Sequence, residues 1–332
     1  MTKNTIREIA KLSGFSIKTV SRVINEEPNV KPSTKEKILQ VIAETNFKPN
    51  IYAANLNSKK TKNVLISIRK THGQHTTKWF DILMSYLVSE ASRKKYTLIQ
   101  EVIYDDDDLQ NSILERSGGY IDVIVLFYLT DDDKRCDIAR NNGIPYLAFE
   151  KSDFVPYTVS NNNRKGMLDA AEFLFGRGLN RICLLLGAQM NVNLERAGAM
   201  TEAYQRAGLP LEWLQIVYNM STLENINRFV DACIEQSSLP EVFFVSGDEK
   251  AIAIYHSVYR HGLTIPRDVS VIGFDNIPIS QFYTPPLTTV GQDFEQLAHR
   301  MFDMIDQLLE KKTDITSVEV DPRLIVRESV RE

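Results

Sequence analysis

Residues 16–25 read SIKTVSRVIN. Val20, Val23 and Ile24 fall at i, i+3 and i+4, the spacing of one apolar helix face. Ser16, Ile17, Lys18, Thr19, Ser21, Arg22 and Asn25 fill the rest of the surface. Apart from Ile17 these side chains donate hydrogen bonds, and no acid stands among them. Lysine and arginine can donate to guanine O6 and N7 or to phosphate, and Thr19, Ser21 and Asn25 to phosphate oxygens. The chemistry on offer is recognition of a polyanion. An ordinary amphipathic surface helix is the plain alternative, and the surroundings decide between the two.

Two further segments repeat the spacing. Ile6, Ile9 and Ala10 form one stripe, and Ile38, Val41 and Ile42 another. Each reads as a short helix with one buried face. Thr5 stands three before Glu8 and Ser33 three before Glu36, two capping boxes. Ser16 can cap the middle helix, and Pro49 stops the third. Gly14 in SGFS suits a tight turn between the first two helices. Helix, glycine turn and second helix make a helix-turn-helix, whose second helix enters the DNA major groove. Charge agrees. Residues 1–62 hold 12 Lys and Arg against 5 acids, a net +7, and the remaining chain carries −11. A basic head on an acidic body places the polyanion at the head.

TIREIAKLSGFSIKTVSRVIN followed by VKPSTKEKILQVIAETNFKPNIYAANL closely resembles the head of the LacI/GalR family of bacterial transcription regulators. The resemblance implies a repressor that binds a pseudo-palindromic operator as a homodimer. In that family the residues matching Ile17, Lys18 and Arg22 lie against bases. Thr5, Ser16, Thr19, Ser21 and Asn25 complete the expected DNA-binding set. Lys18 departs from the small or amide residues many members carry there. In PNIYAANLNSKKTKN, Asn50 can cap a short helix with Ala53, Ala54 and Leu56 on one face. A helix that short is marginal alone. The resemblance implies that two such helices pair over the minor groove, where Leu56 wedges between base pairs and kinks the duplex; a plain linker helix is the alternative.

With 332 residues and 43% apolar content the chain can build two or three domains. Beyond residue 62, NVLISI, YTLIQEVI, DVIVLFY, IPYLAF, RICLLLG, EVFFVSG and DVSVIGFD read as buried strands. Helical stretches separate them at 80–95, 167–177, 197–207, 250–261 and 294–311. That alternation predicts parallel sheets covered by helices, in two stacked doubly wound subdomains. Asp105–Asp108 and Asp131–Asp133 read as solvated loops or helix N-termini. No dinucleotide fingerprint, Walker sequence or Gly-x-Ser-x-Gly elbow is present, so no enzyme chemistry is expected. His72 and His75 lack a third ligand nearby, and neither metal nor cofactor is expected. Cys136, Cys183 and Cys233 are far apart, as in a reducing compartment. With no apolar run long enough to span a bilayer and no signal segment, the expectation is a cytoplasmic protein.

The body is similar to the same family's effector domain, itself like periplasmic sugar-binding proteins. IPRDVSVIGFDNIPISQFYTPPLTTVGQDF and ERAGAMTEAY carry the likeness. It implies a small α-helical DNA-binding domain at 1–48, a hinge at 49–61 and an α/β body at 62–332. The body would divide into 62–160 with 291–320, and 161–290 with 321–332. It also implies that Arg196 and Asp275 bind ligand hydroxyls, with Glu150 following the fourth strand and Phe294 packing a ring on the ligand. Acceptors beside a guanidinium suit a sugar; a plain Asp275–Arg196 ion pair is the alternative. Three departures stand out. Asn162-Asn163 replaces the usual Asp-Asn, and Gly247-Asp248 the usual Asn-Asp. The cleft loop RKTHGQHTTKWF brings Arg69, Lys70, His72, His75 and Lys78, which favours a sugar acid or sugar phosphate unless these cations face solvent.

Three functions remain open on sequence. The first is a dimeric repressor of carbohydrate genes controlled by a sugar or sugar derivative, or by a non-sugar such as a purine. The second is a solute-binding protein without DNA activity, and the third a sugar-modifying α/β enzyme.

Overall fold

The structure, a computed structural model, describes residues 5–24, 30–45, 47, 62–70, 77–116, 120–130 and 132–332. It divides into two compact units, Met1–Thr61 and Lys62–Glu332. The proposed hinge, with Asn50, Ala53 and Leu56, lies outside the described residues, as do Asn25, His72 and His75.

The first unit holds helices α1 (Ile6–Ser13), α2 (Ile17–Ile24) and α3 (Pro32–Glu44). The expected stripes meet: Ile9, Ala10, Val20, Val23 and Ile38 are buried together with Phe47, and Ile6, Ile24, Val41 and Ile42 pack around them. The Thr5–Glu8 capping box forms, with the Thr5 amide 2.6 Å from the Glu8 carboxylate. Gly14 closes α1 at φ 74°, a left-handed position that glycine adopts without a Cβ penalty. The capping box expected at Ser33 and Glu36 does not form. The helix begins two residues earlier, with Lys31 at the N-cap and Pro32 first in the helix, because proline is pre-organised for that position and has no N–H to satisfy. It also stops before Pro49: the Thr45 hydroxyl donates to Val41 O at 2.6 Å and the chain leaves the helix there.

The second unit contains two six-stranded sheets. The first is built from β1 (Asn63–Arg69), β2 (Thr97–Ile103), β3 (Val123–Phe127), β4 (Tyr146–Phe149), β5 (Thr158–Asn161) and β11 (Val318–Val320). The second contains β6 (Ile182–Leu185), β7 (Leu214–Val217), β8 (Val242–Val245), β9 (Ser270–Asp275), β10 (Thr288–Gly291) and β12 (Arg323–Ile325). The orders are β11-β5-β4-β3-β1-β2 and β12-β10-β9-β8-β6-β7, one arrangement used twice. Among the described residues all pairings are parallel except that of β12 with β10. Helices α4 (Lys78–Lys94), α5 (Ile113–Arg116), α6 (Lys134–Asn141), α7 (Asn163–Phe175), α8 (Asn191–Ala207), α9 (Leu223–Glu235), α10 (Ala251–Arg260) and α11 (Phe294–Leu309) cover the faces.

The two-residue period of a strand explains the layering. On β1, Val64, Ile66 and Ile68 pack under α4 and α11, while Leu65 faces the α6 side. On β6, Ile182 and Leu184 meet α7 and α8, while Cys183 and Leu185 meet α9 and α10. A strand buried on both faces is apolar throughout, so these strands read clearly in sequence. The chain passes between the sheets three times, at 161–163, 291–294 and 320–323.

Acidic runs are only partly solvated. Asp133 does cap α6, accepting from the Arg135 amide at 3.1 Å, but it is buried rather than solvent-facing. It pairs at 2.7 Å with the fully buried Arg135, which also donates to Ser67 O and Phe127 O. Burial of that guanidinium requires a carboxylate partner, which explains why Asp133 is drawn inside.

Candidate functional site

Two surfaces gather the candidate residues, one in each unit. In the first unit α2 buries Val20 and Val23 and turns its other side outward. Ile17 is 46% exposed, Lys18, Arg22, Ser16 and Thr5 are exposed, and Thr19 and Ser21 are half-buried. The Ser16 hydroxyl accepts from the Thr19 amide at 3.1 Å and lies 2.9 Å from the Thr19 hydroxyl. It therefore caps α2 while staying at the surface. The exposed N-terminal turn of α2 thus offers Ile17 and Lys18 in the place from which a recognition helix reaches base edges.

In the second unit the site residues gather at the carboxyl ends of strands from both sheets, the end at which open α/β sheets bind ligands. Arg196, on α8, is buried. Its guanidinium donates to Asn163 Oδ1 at 2.9 Å and Ser246 Oγ at 2.5 Å, and lies 3.7 Å from the Phe274 ring centre. Burial lowers its pKa, with Asp275 and Glu150 acting in the opposite sense. Those two carboxyls are held by neutral amides. Asn163 Nδ2 is 3.4 Å from Glu150, and Gln292 Nε2 donates to Asp275. Burial pushes Glu150 up to about 7, against the pull of Arg196. Burial and the nearby Glu249 push Asp275 up to about 7, again against Arg196.

Backbone strain marks the same place. Glu150 has φ 77° and Asp275 has φ 114°, values costly for residues with a Cβ. Gly247 has φ 115°, and a Cβ there would sit 3.3 Å from the Glu249 carboxylate. The turn it makes places Lys250, whose ammonium donates to Ser246 O at 2.7 Å and whose pKa burial lowers. Next to Gly247, Asp248 is fully buried and structural. It accepts from the Thr289 hydroxyl at 2.6 Å and the Ile277 amide at 3.0 Å, locking the end of β8 to β10 and to the loop after β9.

Comparison with known proteins adds the family. Residues 5–50 match the model of bacterial regulatory proteins of the lacI family, and residues 171–330 match that of a periplasmic binding protein-like domain. The chain is 27% identical to catabolite control protein A of Priestia megaterium, covering 98% of this chain and 99% of that protein. It is 28% identical to the probable HTH-type transcriptional repressor ExuR of Bacillus subtilis strain 168, covering 98% of each. The chain thus carries a lacI-family head at 5–50 and a periplasmic binding protein-like body. In fold it is similar to a Lac repressor dimer crystallised with operator and the anti-inducer ONPF, with TM-score 0.83 and 22% identity over 99% of each chain. The match of the head and the full-length likeness to these relatives make the chain a DNA-binding transcriptional regulator; the relatives named are regulators, not enzymes. Among the described residues no helix is long and apolar enough to cross a membrane.

Within this body Arg196, Glu150, Asp275 and Gly247 come together, while Arg69 and Lys78 pair with acids outside that group. Arg69 bonds Asp106 at 2.8 Å and lies 3.7 Å from Asp133, so its charge is met by acids of its own sheet. Lys78 is exposed and pairs with Asp81. Phe294 is buried in the apolar core of the first sheet. Sequence reasoning missed Asn161, Ser246, Glu249, Lys250 and Gln292, ordinary polar residues whose only signal is their place at or just after a strand end. It also missed Trp79, which stacks on Phe149 at 5.5 Å beside Tyr128.

Proposed function

We propose that the chain is an operator-binding repressor of carbohydrate genes whose hold on DNA is set by a sugar or sugar derivative bound between the two sheets. Residues 1–48 read the operator and residues 49–61 form the hinge. The lobes 62–160 with 291–320 and 161–290 with 321–332 close on the ligand. Ile17, Lys18 and Arg22 meet bases, and Leu56 opens the central step of a two-fold site occupied by a homodimer.

The observation that carries this reading is the buried Arg196 held by Asn163 and Ser246 while Glu150 and Asp275 remain bonded to neutral amides. A guanidinium facing two acceptors that it does not itself bond leaves both sides free for hydroxyls, and a plain Arg196–Asp275 ion pair is not what forms. Trp79 and Tyr128 add an aromatic wall next to Glu150 that suits the apolar face of a sugar ring.

A thermal-shift screen of full-length protein against sugars, sugar acids, sugar phosphates and purines tests it, followed by calorimetry on the best hit. Arg196→Ala is expected to weaken that hit by at least about tenfold, the value of one charge-assisted bond. Undiminished binding by the variant would remove Arg196 from the site.

A further inference from the structure

Two buried oxygens of this site lack a hydrogen-bond partner among the described residues: Asn161 Oδ1 and Glu249 Oε2. Asn161 is fully buried at the end of β5, at the first crossing between the sheets. Its orientation is dictated by a chain of amides. Asp275, when ionised, can only accept, so Gln292 must turn its Nε2 toward it. That leaves Gln292 Oε1 to accept from Asn161 Nδ2, and leaves Asn161 Oδ1 facing nothing. Glu249 follows the Gly247 turn on the opposite sheet, close enough to Asp275 for its charge to raise that carboxyl. Both orphans are acceptors. A buried acceptor left unmet is unfavourable, so each marks a place for a donor.

Each cation of the site has partners within the protein. Arg196 donates to Asn163 and Ser246, and Lys250 donates to Ser246 O. Arg69 faces Asp106 and Asp133. Lys151 bonds Glu195 and Glu319. An anionic ligand would meet Glu150, Glu249 and Asp275, with Glu195 and Asp248 close behind; the buried cationic donor of this set that lacks a hydrogen-bond partner, Arg69 Nη1, stands 3.7 Å from the Asp133 carboxylate.

We propose that the effector reaches this site through donors, hydroxyl or amine groups placed at Asn161 Oδ1 and Glu249 Oε2, and that Glu249 sets the preference for a neutral or aminated sugar over its acid and phosphate forms. This rests on the effector reading above and narrows its ligand class. Asn161 positions the amide chain and accepts one donor, while Glu249 supplies the charge that rejects an anion.

The test uses full-length protein and calorimetry on matched sets: common pentoses, hexoses and disaccharides, each as the free sugar, the amino sugar, the uronic acid and the phosphate. The tightest binder is expected to be a free or amino sugar, at least about tenfold tighter than the acid or phosphate of the same skeleton. Glu249→Gln is expected to shrink that ratio by about tenfold, while its circular dichroism and melting profile stay those of a folded protein. An acid or phosphate that binds more tightly than its neutral parent, or an unchanged ratio in folded Glu249→Gln, overturns the inference and leaves the effector reading standing. Binding by no member of any set removes both.

Discussion

Asp275 shows at the scale of one residue how function is placed against stability. Burial and the negative charge of Glu249 raise its carboxyl from 3.8 to about 7, and φ 114° adds backbone strain. A carboxyl whose folded pKa lies above its unfolded value favours the folded state when protonated. That contribution is full below about pH 4 and is lost as pH rises toward 7. A neutral amide at this position cannot titrate, so Asp275→Asn is expected to melt higher than wild type above pH 7 by a few degrees, with the gap closing as pH falls toward 4. Melting curves of the two unliganded proteins across that range check it, and a gap independent of pH would refute the buried, raised carboxyl. Donors bound to the ionised form stabilise it, so effector affinity is expected to rise with pH through 7. Resemblance to a family pattern singles out Asp275, Arg196, Glu150 and Gly247 in sequence, and the fold brings these four together. Asn161 and Glu249 are not singled out, because nothing in a polar side chain tells whether folding leaves its oxygen unmet.

At the scale of elements, the strands legible in sequence were those buried on both faces, such as VIVLF and VFFV. Thr158–Asn161, Leu214–Val217 and Thr288–Gly291 were not, because they are short and polar or half-buried. The first and last of these nevertheless carry the crossings that bring Asn161 and Gln292 to the site. Arg69 shows a different limit: the cation was visible in sequence, but Asp106 and Asp133, which meet it, come from other loops. Element packing also fixes single positions. A Cβ on Gly273 of β9 would overlap Asp248 Oδ1 and lie 2.9 Å from Leu287 Cδ2. Asp248 cannot withdraw without releasing Thr289 and Ile277. Gly273→Ala is therefore expected to destabilise the body by about 1–3 kcal/mol. Denaturant unfolding of the variant measures this, and an unchanged midpoint would show that Asp248 is not held as described.

At the scale of the molecule, a +7 head and a −11 remainder share one chain. The head is attracted to phosphate and the body is repelled by it, so the head carries the DNA contact and the affinity is expected to fall steeply with salt. The body uses one strand order twice, and on the proposed reading the ligand lies at the carboxyl ends of the two sheets, which assigns operator reading and ligand binding to different units of the chain. On the proposed reading, a ligand held at Arg196, Glu150 and Asp275 controls operator binding. Fluorescence anisotropy of full-length protein on an operator selected from genomic DNA, titrated with and without the best ligand from the screen, measures that control in wild type and in Asp275→Asn. Ligand is expected to shift wild-type operator affinity by at least about tenfold, while Asp275→Asn binds the same operator with no shift. Equal affinity with and without ligand in wild type, or an undiminished shift in Asp275→Asn, would contradict it.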